Sequence, residues 1–207
     1  MYFMKRSRHY QFLQELQSAR LRRDYQHLGV QPQYTALAHF FFVEMYGPKD
    51  FRARDTQARR LHQFIHLAPG LHMRDIEVTL ELLDLTVQLD DQLAELLVKM
   101  NAPLPFSDSF YEQAYRNADV YAPRVRQIEL ISESLNRVHR LTQIPLLGTA
   151  LNNSKTIARM MGMGELHRFL RKGYNALEVV DDLQPFLTEV SVQEMERLNR
   201  IYGVGEP

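Results

Sequence analysis

The chain has no cysteine and no tryptophan among its 207 residues. The lack of cysteine excludes a disulfide scaffold, a thiol nucleophile, thiolate metal ligands and the attachment of a c-type haem. No stretch approaches the roughly 18 uncharged apolar residues that a membrane-spanning helix needs. Segment 1–13 lacks the apolar core of a signal peptide, because it is interrupted by Lys5, Arg6, Arg8 and His9. These absences predict a cytoplasmic protein that does not enter a membrane.

Strand signals are also scarce, since no alternating run of β-branched residues is bounded by turn residues. Helical periodicity is present almost everywhere, and the 45% hydrophobic and 24% charged residues are typical of a folded protein. We therefore predict a single all-α domain over residues 1–207, a bundle of seven to nine helices. Their approximate ranges are 7–28, 33–46, 51–68, 74–100, 108–118, 123–143, 146–161, 165–183 and a final helix opened by a capping box at 191–194.

The segment at about 74–100 is predicted to be the long central helix of the bundle. Apolar residues occupy more than half of its circumference, well beyond the ~100° stripe of a surface helix. Such a helix must pack against partners on two sides, and we expect the helices at 33–46, 123–143 and 165–183 to be its main neighbours. Its polar stripe, which should face solvent or basic residues, consists of Glu77, Glu81, Asp84, Gln88, Asp91 and Glu95.

Two acids on apolar arcs are the most unusual feature of the sequence. Asp90 falls on the apolar side of the central helix, and Thr86 faces nearly the same way. Glu44 lies in the last turn of an aromatic helix, where the helix dipole disfavours an anion, so we expect Arg or His from the basic N-terminal third to compensate it. A buried carboxylate needs a donor, and a core ion pair or a ligand pocket would each supply one. Ligand-binding candidates are therefore Glu44, Asp90, Thr86 and His39, which adjoins three phenylalanines.

Histidine offers a second kind of site. His62 and His66 are four residues apart on one predicted helix, a spacing that can bind a metal, although solvated histidines at a helix edge are the more common explanation of such a pair. No Glu-x-x-His pair of a di-iron bundle and no G-x-S-x-G elbow of a serine hydrolase is present. A haem held by histidine would most readily use His39. Cofactors are otherwise left open by the sequence.

The net charge is zero but unevenly distributed. Residues 1–74 carry 12 Lys and Arg against 5 Asp and Glu, and residues 75–122 carry 2 against 10. A basic face for nucleic acid would explain this asymmetry, but so would basic helices packed beside an acidic one. Because neutral domains seldom depend on phosphate contacts, we favour the second interpretation and predict no nucleic-acid partner.

One string, residues 41–51, carries a family resemblance. It reads FFVEMYGPKDF and is similar to the FF-x-x-x-YGP-x-DF signature of an uncharacterised all-helical bacterial family. Segments 158–161 and 164–174 are similar too, so the resemblance extends over most of the chain. It implies an all-helical fold and assigns no activity and no catalytic residue.

Two classes of function therefore remain open. The first is a non-catalytic binding or interaction protein, which holds a small apolar ligand in the bundle core or forms a homodimer. The second is a metal- or haem-dependent enzyme that uses the acids Glu44 and Asp90 with His39, His62 or His66. We favour the first class, because no catalytic constellation has the required spacing.

Overall fold

The computed structural model describes residues 7–47, 51–62 and 73–205. Within these ranges the chain forms helices and no strand, which confirms the all-α fold class. The α-helices are α1 Arg8–Asp24, α2 Gln26–Gly29, α3 Thr35–His39, α4 Arg52–His62, α5 Met73–Lys99, α6 Asp108–Asn117, α7 Tyr121–Thr142, α8 Leu147–Asn153, α9 Lys155–Met160, α10 Gly164–Glu178 and α11 Gln184–Tyr202, and a π-helix, Phe40–Met45, follows α3 directly.

The described part of the chain has eleven α-helices, more than the seven to nine predicted, because two predicted helices are each divided. Tyr25 separates α1 from α2, and Ser154 separates α8 from α9. The start of the last helix was also predicted wrongly. It begins at Gln184 with a proline in its first turn, which is a favoured position, whereas Ser191 lies inside the helix and bonds Ser132 at 2.8 Å.

The predicted central helix, α5, is confirmed. It packs against α1, α4, α6 and α7, so partners cover more than one of its sides. The six residues of its polar stripe are all exposed, whereas its apolar arcs bury Val78, Leu82, Leu89, Leu93, Ala94 and Leu97. Of the three predicted neighbours only α7 is a principal one, since α10 packs mainly against α4 and α7.

The polar stripe of α5 faces basic side chains at two points. Arg126 on α7 donates two hydrogen bonds to Glu81, at 3.0 and 3.2 Å, and Arg59 on α4 pairs with Asp84. These pairs are exposed and contribute little to stability. They show acidic and basic helices lying side by side, the arrangement we favoured for the uneven charge. Among the described helices none has both the length and the apolarity to cross a membrane.

The π-helix connects the aromatic core to the centre of the bundle. Phe41 and Phe42 are buried beside Tyr25 and Phe186, with ring centroids 5.2 to 6.1 Å apart. Gly47 follows the π-helix where the backbone turns back sharply, and a Cβ there would lie 2.3 Å from the Val43 carbonyl oxygen. Glycine is therefore required at this turn. Single turns of π-helix occur frequently at functional sites.

Candidate functional site

Two neighbouring cavities lie inside the bundle on either side of Met45 and Leu83, which line both. The first, here called the polar cavity, has a volume of about 110 Å³ and lies between α1, α5, α6, α7 and α11. The second, here called the apolar cavity, has a volume of about 220 Å³ and lies between α4, α5, α7, α8 and α10. Because the two have different linings, they suit different chemistry.

Asp90 belongs to the lining of the polar cavity, is the centre of its hydrogen-bond network and is 1% exposed. Its Oδ2 accepts a hydrogen bond from the Tyr46 hydroxyl at 2.8 Å, and its Oδ1 lies 3.6 Å from Nη2 of Arg124. That second separation satisfies an ion pair but is too long for a direct hydrogen bond, so Oδ1 has no hydrogen-bond partner within the described structure. Burial raises the pKa of Asp90 above its ordinary value, against the opposing effect of Arg124.

Arg124 reaches this centre from the first turn of α7 and is 5% exposed. Its Nη1 donates to Gln127 Oε1 at 2.9 Å, and the Gln127 amide in turn donates to the Thr86 hydroxyl at 2.8 Å. The guanidinium carbon also lies 4.8 Å from the centre of the Tyr115 ring, a favourable cation–π arrangement. Its Nε is buried without a hydrogen-bond partner in the described structure. The cation is thus held firmly while one of its donors stays unused.

Tyr46 connects this centre to α1. Its hydroxyl contacts the Gln17 side chain as well as Asp90, and the Gln17 amide lies 3.4 Å from the Tyr111 hydroxyl. The Tyr46 hydroxyl thus faces two acceptors, Gln17 Oε1 and Asp90 Oδ2, and its single proton can serve only one of them at a time. Burial and the nearby Asp90 raise the pKa of Tyr46 well above its ordinary value, so the phenol is neutral.

A second ion pair also lines the polar cavity. Arg20 on α1 and Glu194 on α11 form a bidentate pair, with N–O distances of 2.6 and 3.0 Å, and the Tyr25 hydroxyl donates to the same carboxylate at 2.8 Å. Bidentate pairs have fixed geometry and are stronger than single charged hydrogen bonds. This pair therefore fixes α1 against α11. Arg197, three residues after Glu194 on α11, also lines the cavity, with its guanidinium 5.7 Å from the centre of the Tyr111 ring.

The apolar cavity has few polar atoms, and those it has are paired with protein groups. The Thr79 and Ser134 hydroxyls bond each other at 2.8 Å. Arg54 bonds Asp55 and the Glu44 carbonyl, and its guanidinium lies 4.6 Å from the Phe169 ring. The Tyr174 hydroxyl donates to the Thr142 carbonyl at 3.4 Å. The rest of the lining is apolar and includes Phe40, Ala58, Leu61, Leu80, Leu135, Val138, Leu141, Leu147, Leu151, Leu166, Leu170 and Leu177.

The structure brings two of the predicted ligand-binding residues together and separates the other two from them. Asp90 and Thr86 both line the polar cavity. Glu44 pairs with Lys172 of α10 at 2.9 Å, and Arg54 from the basic N-terminal third donates to its backbone carbonyl at 3.0 Å. His39 is exposed at the end of α3.

The predicted metal ligands cannot be placed. His66 and the side chain of His62 lie outside the described residues, as do residues 48–50 of the family-like string. Within the ranges that the structure describes, no group of three or more His, Cys, Asp or Glu side chains could hold a metal ion.

Several residues of the polar cavity were missed by sequence reasoning. Arg124 precedes Gln127 by three residues and Ile131 by seven, so helical spacing places all three on one face of α7. Tyr46 belongs to the family-like string, but nothing local indicates that its hydroxyl reaches an acid 44 residues away. Arg20 and Glu194 are 174 residues apart and carry no local signal of their pairing.

The raised pKa of Asp90 predicts a pH-dependent stability. Ionising Asp90 costs more free energy in the folded than in the unfolded chain. The stability that Asp90 contributes is therefore fully present below its pKa in the unfolded chain and is lost as pH rises through its pKa in the folded chain. The free energy of unfolding of the wild type should therefore fall relative to that of Asp90→Asn as pH rises. Urea denaturation between about pH 4 and pH 8 measures both.

Glu95→Gln is the matched control, because Glu95 is an exposed acid on the same helix. Its difference from the wild type should stay nearly constant over this pH range. A wild type that gains stability relative to Asp90→Asn as pH rises would show that Arg124 lowers the pKa of Asp90 more than burial raises it.

Comparison with known proteins gives a family and no activity. Searches of the curated proteins and of the solved structures found no match. One family model matches almost the whole chain, residues 4–206, and its description is "Domain of unknown function (DUF8198)". This confirms the resemblance to an uncharacterised family, whereas the bacterial origin and the signature stay predictions. Over residues 4–206 the chain therefore belongs to the DUF8198 family.

Proposed function

We propose that the chain is a non-catalytic binding protein that holds a small apolar ligand in the apolar cavity. The lining of that cavity is the observation that carries the proposal. It has a volume of about 220 Å³ and is formed almost entirely by leucine, valine, alanine and aromatic side chains. An apolar cavity of about 150 Å³ already accommodates benzene and stays dry. The space therefore suits a compact molecule of one or two rings.

The pairing of the polar groups in the lining supports an apolar ligand over a polar one. Thr79 and Ser134 satisfy each other, and Arg54 is occupied by Asp55, by the Glu44 carbonyl and by two aromatic rings. A polar ligand would lose its hydrogen bonds to water and find few partners here, which disfavours its binding. An apolar ligand loses nothing of that kind and gains the transfer free energy of its surface.

The energetic cost of an empty cavity points the same way. Enclosed voids in protein cores cost about 24 cal/mol for each Å³, so filling apolar space of this kind is favourable. Protein interiors are otherwise packed as densely as organic crystals. A cavity of this size in a natural core is therefore better explained by an occupant than by inefficient packing.

Binding can be tested with naphthalene and indole as probes and a variant that fills the cavity. Ala58 is buried on α4 and lines the cavity, so Ala58→Phe places a ring inside it. We expect each probe to raise the melting temperature of the wild type, since binding to the folded state alone stabilises it. In Ala58→Phe the shift should disappear.

Ala53→Phe is the matched control, because Ala53 is exposed on the same helix and adds the same side chain outside the cavity. It should respond to the probes as the wild type does. Organic extraction of the purified wild type, followed by mass spectrometry, identifies any bound molecule. Equal probe shifts in Ala58→Phe and the wild type, with an empty extract, would refute the proposal.

A homodimer is the second candidate, and an apolar stripe on α9 favours it. Ile157, Met160 and Met161 follow the i, i+3, i+4 spacing of one helix face, and they are 60%, 83% and 59% exposed. Three large apolar side chains on one exposed face are typical of an interaction site, and methionine adapts well to such contacts. The charged side chains of Lys155 and Arg159 are exposed beside the stripe, so the surface around it is polar.

Sedimentation velocity over a range of protein concentrations tests the homodimer. The wild type should sediment as a dimer at high concentration, and Met160→Glu should shift it to monomer, because a charge at the centre of an apolar contact is costly to bury. Thr149→Glu, at an exposed position on α8, is the control. A wild type that stays monomeric at every concentration excludes this candidate.

A further inference from the structure

Gly173 is buried in the interior of α10 and lies directly against a ring that lines the apolar cavity. A Cβ at this position would lie 2.8 Å from Cζ of Phe40 and 3.2 and 3.3 Å from its two Cε atoms. The first of these distances is well below an ordinary contact between carbon atoms. Glycine inside a helix is destabilising relative to alanine, so the close approach of the ring is a physical reason for glycine here.

A side chain at position 173 would displace the Phe40 ring into the apolar cavity. Phe40 is 6% exposed, and the Phe169 ring packs against it with a separation of 5.2 Å between the ring centroids. Phe40 and Gly173 both line the cavity, so the cavity is the unfilled space next to the ring. The missing side chain of Gly173 therefore keeps the ring within the wall and the space beside it open.

A second glycine has the same relation to a second ring of the lining. Gly148 lies in the first turn of α8, and a Cβ there would lie 2.7 to 2.8 Å from the hydroxyl oxygen, Cε1 and Cζ of Tyr174. Tyr174 lines the cavity, and its hydrogen bond to the Thr142 carbonyl holds the ring in this position. Two glycines on two helices thus determine how far aromatic side chains project into the cavity.

The size of the open space limits the size of the ligand. An apolar cavity of about 150 Å³ holds benzene, so one of about 220 Å³ holds an apolar molecule of about nine or ten non-hydrogen atoms. A Phe40 ring displaced into this space would remove the room for part of such a molecule. A smaller molecule of the size of benzene would still fit.

We propose that Gly173 and Gly148 determine the ligand class of the apolar cavity, which is that of uncharged bicyclic molecules of the size of naphthalene. This selectivity rests on the proposed function, the binding of an apolar ligand. The two glycines leave room for the rings of Phe40 and Tyr174 in the wall, and the space that stays open accommodates the second ring of the ligand. The ligand is uncharged because the polar atoms of the lining are paired with protein groups.

Isothermal titration calorimetry of the full chain with benzene and naphthalene tests this selectivity. The wild type should bind both, and naphthalene more tightly, because it buries more apolar surface. In Gly173→Ala the affinity for naphthalene should fall by roughly tenfold or more, while the affinity for benzene should stay within about threefold of the wild-type value. Gly148→Ala should change the two affinities in the same direction.

Gly164→Ala is the matched control, because Gly164 begins the same helix and a Cβ there makes an ordinary contact, 3.7 Å from Cγ of Arg159. It should bind naphthalene as the wild type does. The double variant Gly173→Ala with Phe40→Leu should regain naphthalene binding, since leucine lacks the Cε and Cζ atoms that the added Cβ would meet. If Gly173 had a purely structural role, the double variant would be at least as impaired as the single one.

Phe40→Leu alone provides a test that does not depend on the folding of Gly173→Ala. It enlarges the cavity and should bind 2-ethylnaphthalene about tenfold more tightly than the wild type does. Equal affinity of the wild type and Phe40→Leu for 2-ethylnaphthalene, or unchanged naphthalene binding in a folded Gly173→Ala, would overturn the selectivity while the proposed function stands. A wild type that binds neither benzene nor naphthalene would refute the proposed function and the selectivity with it.

Discussion

The structure depends on a charged residue placed at the centre of an apolar bundle. An isolated carboxylate costs several kcal/mol to bury, and Asp90 is 1% exposed on the central helix α5. Two other elements must therefore deliver partners to one point: α7 brings Arg124 and the end of the π-helix brings Tyr46. That requirement fixes the positions of α7 and the π-helix against α5. Apolar packing alone would specify these positions less strictly.

The end of the π-helix lies between two distinct environments. Tyr46, directly after it, takes part in the polar network, and Met45, its last residue, forms part of the wall shared by the two cavities. On one side, α1, α6 and α11 complete a lining of arginine, tyrosine and acid. On the other, α4, α8 and α10 complete a lining of leucine and phenylalanine. One bundle thus contains a polar and an apolar cavity that share a wall and differ in the chemistry of their linings.

Sequence reasoning was most successful where the relevant pattern is local. The apolar arcs of α5 predicted its central position, its exposed acidic stripe and the burial of Asp90, because helical periodicity within a single segment decides all three. It was less successful where tertiary contacts decide. Tyr25 interrupts an otherwise continuous helix, and there its ring stacks on Phe42 and its hydroxyl bonds Glu194. No neighbouring residue in the sequence predicts this interruption.

The same limit applies to the candidate sites. Thr86 and Asp90 are one helical turn apart, so their shared location was predictable. Their partner Arg124 is 34 residues beyond Asp90, and Glu194 and Arg20 come from opposite ends of the chain. The apolar cavity could not be predicted from sequence at all, because a void is defined by the side chains that fail to fill it and these come from five α-helices and the π-helix.

Native-state hydrogen exchange of the α5 amides tests the central claim most directly. If α5 is enclosed by α1, α4, α6 and α7 around the Asp90–Arg124 pair, its amides from Leu89 to Leu97 should exchange only through global unfolding. They should then share one free energy of opening, equal to the stability measured with denaturant. Exchange of these amides by local fluctuations, as fast as in the exposed helix α9, would place α5 at the periphery and contradict the account.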